Sequence, residues 1–252
     1  MTMELCIGID VGSVSVNTFV ADPPGSLLYE GYHRTNGLPF HTALKAIDEI
    51  LARYPNSRIR HLGITGSSGA ELATLIGGEH VNEVVAQSRA VAEEIPHVRT
   101  VMEMGGEDSK LLFFAEENGT CVLKDFCMNS LCAAGTGSFL DQQAARLGVS
   151  IENEFGEMAL RSEAPPRIAG RCSVFAKSDM IHLQQVGTPV HDIVAGLCHA
   201  LARNFKASIV RGKEFNSPIA FQGGVAANKG MVRAFENVLE LKPGELIIPR
   251  YF

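Results

Sequence analysis

The sequence predicts a two-lobed α/β protein, each lobe built on a three-stranded meander followed by helices. Three observations carry this. Residues 5–32 and residues 98–125 each read as three successive strands. In both, the first turn is acidic and rich in small residues: Asp10-Val11-Gly12-Ser13 in one, Gly105-Gly106-Glu107-Asp108-Ser109 in the other. Late in the chain, a buried-strand pattern at 217–221 runs into Gln222-Gly223-Gly224 and then a helix. Together these make a weak internal repeat.

Taken in order, residues 5–9 are an apolar run, 14–20 alternate, and 26–32 complete the first meander. Residues 38–54 have helical periodicity and stop before Pro55. Residues 59–64 read as a strand running into the small, flexible Thr65-Gly66-Ser67-Ser68-Gly69. Residues 83–94 read as a helix that Pro96 ends. The pattern then restarts, with strands at 98–104, 110–115 and 121–125, the last two joined by the hairpin signal Asn118-Gly119. Helices are expected at 132–147, 174–185, 190–211 and 226–239, and a last strand at 245–248. The lobes expected are residues 1–96 and 97–252.

Composition narrows the function classes. A chain of 252 residues with 46% hydrophobic and 20% charged residues buries a real core. A net charge of −6 argues against nucleic acid as a partner, because phosphate neutralisation needs a basic face. No apolar run approaches the length that spans a bilayer, and the opening Met1-Thr2-Met3-Glu4-Leu5-Cys6 is no signal peptide, so a cytoplasmic location is expected. The six cysteines form no C-x-x-C pair. Cys6 and Cys198 fall in strand and helix patterns and read as small buried hydrophobes.

Glycine-rich hairpin turns expose backbone N–H groups that cradle phosphate oxygens. Gly12, Ser13 and Ser15 in the first turn, with Gly105 and Gly106 in the second, are the candidate phosphate binders. Asp10, Asp108 and Glu107 are the acidic candidates for holding Mg²⁺ through water or orienting the attacking water. Gly223 and Gly224 at a helix start let the backbone approach a flat ligand, with Asn228 close by. This order of motifs predicts the actin/hexokinase/Hsp70-like (ribonuclease H-like) fold, with a nucleotide cleft between lobes. The chain has no G-x-x-x-x-G-K-[ST], and Gly105-Gly106 precedes a strand, whereas a dinucleotide fingerprint precedes a helix.

Two cysteines stand apart. Cys132, beside Gly135-Thr136-Gly137, and Cys172, in Arg171-Cys172-Ser173-Val174-Phe175-Ala176, each fall at an expected helix start, where a thiolate is favoured. Their chemistry alone allows a redox pair, half of a metal site, or plain burial.

The chain resembles the activators (component A) of 2-hydroxyacyl-CoA dehydratases, in the BadF/BadG/BcrA/BcrD ATPase family. The resemblance runs through Gly8-Ile9-Asp10-Val11-Gly12-Ser13, Gly63-Ile64-Thr65-Gly66, Gly105-Gly106-Glu107-Asp108-Ser109-Lys110, Cys132-Ala133-Ala134-Gly135-Thr136-Gly137, Cys172-Ser173-Val174-Phe175-Ala176 and Gly223-Gly224-Val225-Ala226. It implies a homodimer that hydrolyses ATP with Mg²⁺ and donates one electron to a dehydratase or a related acyl-CoA reductase. It also implies one [4Fe-4S] cluster at the subunit interface, with Cys132 and Cys172 as each subunit's ligands and Gly135 and Thr136 beside them. Ferredoxin or flavodoxin would supply the electron. Cys121 and Cys127 lack the family's ligand context. Glu103 and Glu107 stand where small activators have Asp and Gln, and Asn17 stands where many relatives carry Lys. Relatives continue beyond this C-terminus into a small-residue-rich helix, so a further helix is expected there. The competing readings are a small-molecule, sugar-type kinase and a nucleotide-dependent scaffold on the same fold.

Overall fold

The computed structural model describes residues 2–129, 135–170, 172–210, 212–242 and 244–250. The chain divides into two compact units, residues 1–90 and 91–252.

Unit 1 is a five-stranded mixed sheet in the order β3-β2-β1-β4-β5. Its strands are β1 (Met3–Val11), β2 (Ser15–Ala21), β3 (Leu27–Arg34), β4 (Ser57–Thr65) and the two-residue β5 (Glu79–His80). The first three form an antiparallel meander, and β4 and β5 add in parallel. Strand β1 is specified by strict alternation: Leu5, Ile7, Ile9 and Val11 are buried, while Cys6, Gly8 and Asp10 on the opposite face are half-covered. Helix α1 (Pro39–Arg53) starts on proline, whose missing N–H costs nothing in a first turn, and buries Ala43, Ala46 and Ile50. Each isoleucine or leucine so buried contributes about 1.5–3 kcal/mol before the ordering entropy is counted. The segment expected to be flexible after residue 65 instead opens α2 (Gly69–Ile76), which ends on Gly77 in the left-handed region. Helix α3 (Glu83–Glu94) carries the division between the units.

Unit 2 repeats the plan, with the sheet order β10-β9-β6-β7-β8. Here β6 (Thr100–Met104), β7 (Ser109–Glu117) and β8 (Thr120–Asn129) form the meander. Strands β9 (Ile219–Gln222) and β10 (Leu246–Ile247) add in parallel. Every residue of β6 is buried, as a central strand covered on both faces requires. The core is completed by α4 (Gly137–Leu147), α5 (Gly156–Leu160), α6 (Ser173–Gln185), α7 (Val190–Phe205) and α8 (Lys229–Leu239). Phe235 of α8 meets Phe205 and Phe221 edge-on, with ring centroids 5.3 and 4.9 Å away. Two short elements had no sequence signal: the π-helical turn Ile151–Phe155 and α5 behind it. The helix expected from 132 begins, among the described residues, at Gly137. No described helix is long and apolar enough to cross a membrane.

Candidate functional site

The two meanders share more than their strand order. In unit 1 the ladder between β1 and β2 ends at Val11 opposite Val16, and Gly12 N–H closes the turn onto Ser15 O at 2.9 Å. In unit 2 the ladder ends at Met104 opposite Ser109, and Gly105 N–H closes onto Asp108 O at 3.0 Å. The turns therefore superpose in register, with Asp10 matching Glu103 and Asn17 matching Lys110. The sequence offers Asp10, Asp108 and Glu107 as the acidic candidates. Strand pairing places Asp10 on β1 one residue before its end, whereas Asp108 lies in the turn itself.

The repeat extends to the third strand. Asp10 lies between Asn17 on β2 and Thr65 on β4, and Glu103 lies between Lys110 on β7 and Gln222 on β9. The strands that pair in parallel with β1 and β6, β4 and β9, are each followed by a glycine with positive φ, Gly66 at +93° and Gly223 at +85°. A methyl group on Gly66 would strike the Asp10 carboxylate and Val11 O; one on Gly223 would strike Met104 O and the Glu103 carboxylate. Both positions require glycine twice over, for its backbone angles and for its missing Cβ. Gly66, Glu103 and Lys110 are the residues that sequence reasoning did not place in the site. The signal for them is the internal repeat, once strand register is known.

Each turn is braced from outside itself. Thr35, buried, donates its hydroxyl to Ser13 O at 2.5 Å, and its N–H donates to Val14 O. In unit 2, Gly137 N–H donates to Gly105 O at 2.8 Å, and Ser138 gives both its N–H and its hydroxyl to Gly106 O. Ser109 Oγ donates to Gly135 O at 2.8 Å, and Thr136, fully buried, is the N-cap residue of α4. Gly137 and Ser138 thus brace the second turn, and Gly135 ties in the strand that leaves it. Gly12, Ser13, Ser15, Gly105 and Gly106 are all half-exposed, and Glu107 is exposed at the tip.

Electrostatically the turns differ. Asn17 Nδ2 donates to Asp10 Oδ2 at 3.3 Å. Thr65 Oγ1, across β1 from it, is a buried hydroxyl without a hydrogen-bond partner among the described residues. Such an orphan beside a carboxylate marks a place where a ligand or its water belongs. In unit 2 the Lys110 ammonium, wholly buried, lies 2.8 Å from Glu103 Oε2 and 2.9 Å from Asp108 Oδ2.

Gly223 is followed by a single 3₁₀ turn, Gly224–Ala227, before α8. Asn228 caps α8, its side chain accepting from Met231 N–H at 3.2 Å. This start of α8 and the end of α5 border an open cavity of about 530 Å³ lined by Leu160, Ala226, Ala227, Lys229, Arg233 and Glu236, among others. Arg233 is held by the carbonyls of Ala159, Leu160 and Ser162, and Lys229 by Glu157.

Cys132 lies outside the described residues. Cys172 is the N-cap residue of α6, half-buried, with extended backbone. A half-buried thiol at the start of a 13-residue helix is of the ligand type that an iron–sulfur cluster takes, so this residue fits a cluster ligand. Cys198, fully buried, has its pKa pushed up to about 12 by burial, as suits an inert packing residue. Burial also raises the pKa of Cys121.

Repeated five-stranded sheets, each opening in a braced glycine turn with an acidic residue at its root, define an α/β ATPase of the actin/hexokinase type. The chain belongs to the BadF/BadG/BcrA/BcrD ATPase family, which matches residues 7–251. It is 34% identical over 171 residues to the 2-hydroxyisocaproyl-CoA dehydratase activator of Clostridioides difficile, covering 68% of this chain and 61% of that relative's length. It is 29% identical to the (R)-2-hydroxyglutaryl-CoA dehydratase activating ATPase of Acidaminococcus fermentans, covering 95% and 91%. Among solved structures, the activator of the 2-hydroxyisocaproyl-CoA dehydratase from Clostridium difficile with bound ADPNP matches with a TM-score of 0.86 at 26% identity, covering 98% of this chain and 89% of the other.

Proposed function

We propose that this chain is a reductive activase: it binds and hydrolyses MgATP and, as a homodimer, delivers one electron to a dehydratase or related acyl-CoA reductase. The observation that carries the nucleotide half is the matched pair of turns, each closed by a glycine N–H and with a carboxylate at its root. The relatives' names, and the ADPNP bound to one of them, support the same reading.

In this reading Gly12 and Gly105 close the turns with their own N–H groups, and the amides of Ser13 and Gly106 take the phosphate oxygens. Asp10 and Asp108 orient hydrated Mg²⁺ and the attacking water, and Thr65 Oγ1 donates to that water shell. Gly223 and Gly224 admit the adenosine, whose base fills the cavity between α5 and α8. Cys172, with Cys132, would hold half of a [4Fe-4S] cluster, and a second copy the other half. When bound, that cluster supplies a one-electron carrier. Ferredoxin or flavodoxin is the class of donor such a carrier needs.

The deciding measurement is ATP turnover together with iron and acid-labile sulfide on anaerobically purified protein. The expected result is ATP hydrolysis and about four irons per dimer. Absence of iron after anaerobic reconstitution would refute the electron-donor half. Asp10→Ala or Asp108→Ala should lower turnover at least about 100-fold while iron stays bound. Wild-type turnover in either would refute the phosphate roles. Cys172→Ser should lose iron; a fully loaded variant would remove that residue as a ligand.

A further inference from the structure

We propose that Lys110 is a positioning residue for ATP hydrolysis, resting on the nucleotide reading above: it fixes Asp108 in the second turn by gripping it from beneath. Lys110 is fully buried, a rare condition for an ammonium. Glu103, directly across the ladder, already gives it one carboxylate partner at 2.8 Å. Its second contact, 2.9 Å to Asp108 Oδ2, reaches out of the sheet to a turn residue whose side chain is 29% exposed.

The geometry divides each carboxylate between two tasks. Glu103 Oε2 and Asp108 Oδ2 go to the ammonium. The other oxygens, Asp108 Oδ1 and Glu103 Oε1, lie 3.1 and 3.3 Å from where a Cβ on Gly105 would stand. Gly105 has no Cβ, so both oxygens gather over the turn that offers its amides to phosphate. Without the ammonium, two carboxylates this close would repel, and Asp108, in a turn, is the one able to swing away. A single buried cation therefore holds the turn's acidic group at one rotamer. Asn17, its counterpart in unit 1, has no charge with which to do this.

The test is a double-mutant cycle between Lys110→Met and Asp108→Asn, read as kcat and KM for MgATP. It is run on Glu103→Gln chains, so that removing the ammonium leaves no lone carboxylate in the core. Lys110→Met should lower kcat about 30-fold with KM within about 3-fold, and should cost nothing more once Asp108 is Asn. Equal losses with and without Asp108 would overturn the proposal. If Glu103→Gln chains turn over too slowly to assay, Lys110→Arg and Lys110→Met decide. Arg keeps the charge and should stay within about 5-fold of wild type where Met does not, and equal loss in both overturns the role. A wild-type chain that binds ATP without hydrolysing it sinks the hydrolysis reading and this role together. Wild-type turnover with unlinked effects sinks only the positioning role.

Discussion

The turn of unit 1 and the turn of unit 2 occupy the same place in the same sheet, yet they handle charge differently. At the root of the first, Asp10 meets a neutral carboxamide at 3.3 Å. At the root of the second, Glu103 meets a fully buried ammonium that also grips Asp108. Topology and glycine geometry are shared, so the difference lies in the side chains facing each other across one pair of strands. The first root is built to respond to what binds beside it. At the second, one ammonium already bridges two carboxylates.

The largest expected effect would expose that inequality directly. Lys110→Met leaves Glu103 and Asp108 against the core without their cation and should destabilise the chain by about 3–5 kcal/mol. Asn17→Ala, at the matching position, removes one half-buried hydrogen bond and should cost about 1 kcal/mol or less. Denaturant unfolding of both variants checks this, and equal losses would erase the distinction. Next come the matched glycines. Gly66→Ala and Gly223→Ala each place a methyl group against a carbonyl and a carboxylate at positive φ, and each should lose at least about 2 kcal/mol. If only one does so, the repeat of the third strand is decorative at the other.

Smaller still are the braces. Thr35→Val and Ser138→Ala each remove a hydroxyl bond to a turn carbonyl, for about 1 kcal/mol and a fall in ATP turnover. A stability loss without any change in turnover would separate bracing from function.

The smallest effect concerns pH and unit 2 alone. Burial holds the His199 pKa below its ordinary value, helped by the nearby Arg203 and Arg233 and opposed by its bond to Ala195 O. The unfolded chain therefore takes up a proton there that the folded chain refuses. The stability this histidine contributes is complete above about pH 6.5 and declines as pH falls through that value. Between about pH 7.5 and 5.5 the wild-type Tm should drop about 1–3 °C further than that of His199→Gln. Parallel curves would remove His199 from the account.

Much of this was legible in the sequence because meanders and glycine turns are local. The apolar run at residues 5–9 and the acidic small-residue turns place the two meander turns without any tertiary information. What local pattern could not show was which residue faces which. Naming Asp10 and Asp108 as acidic candidates followed from composition, whereas pairing Glu103 with Lys110 and Asp10 with Asn17 needs the ladder register. Gly66 read as part of a flexible stretch because Gly-Ser-Ser-Gly carries no apolar period, and its role comes from the approach of β1. The two-residue β5 and the five-residue α5 are too short to show a period at all and owe their form to packing. Cys132 and Cys172 remain where chemistry and family likeness put them, since one lies outside the described residues.

The buried Lys110 also bears on how faithfully the chain assembles. A slip of one residue between β6 and β7 would turn that ammonium to the other face of the sheet and leave Glu103 facing the wrong neighbour. A misaligned hairpin would thus carry two stranded charges, a fault far harder to tolerate than mismatched apolar side chains. The ion pair serves as a proofreading mark on the strand: the second turn can close comfortably in only one alignment, the one that sets Glu103 across from Lys110.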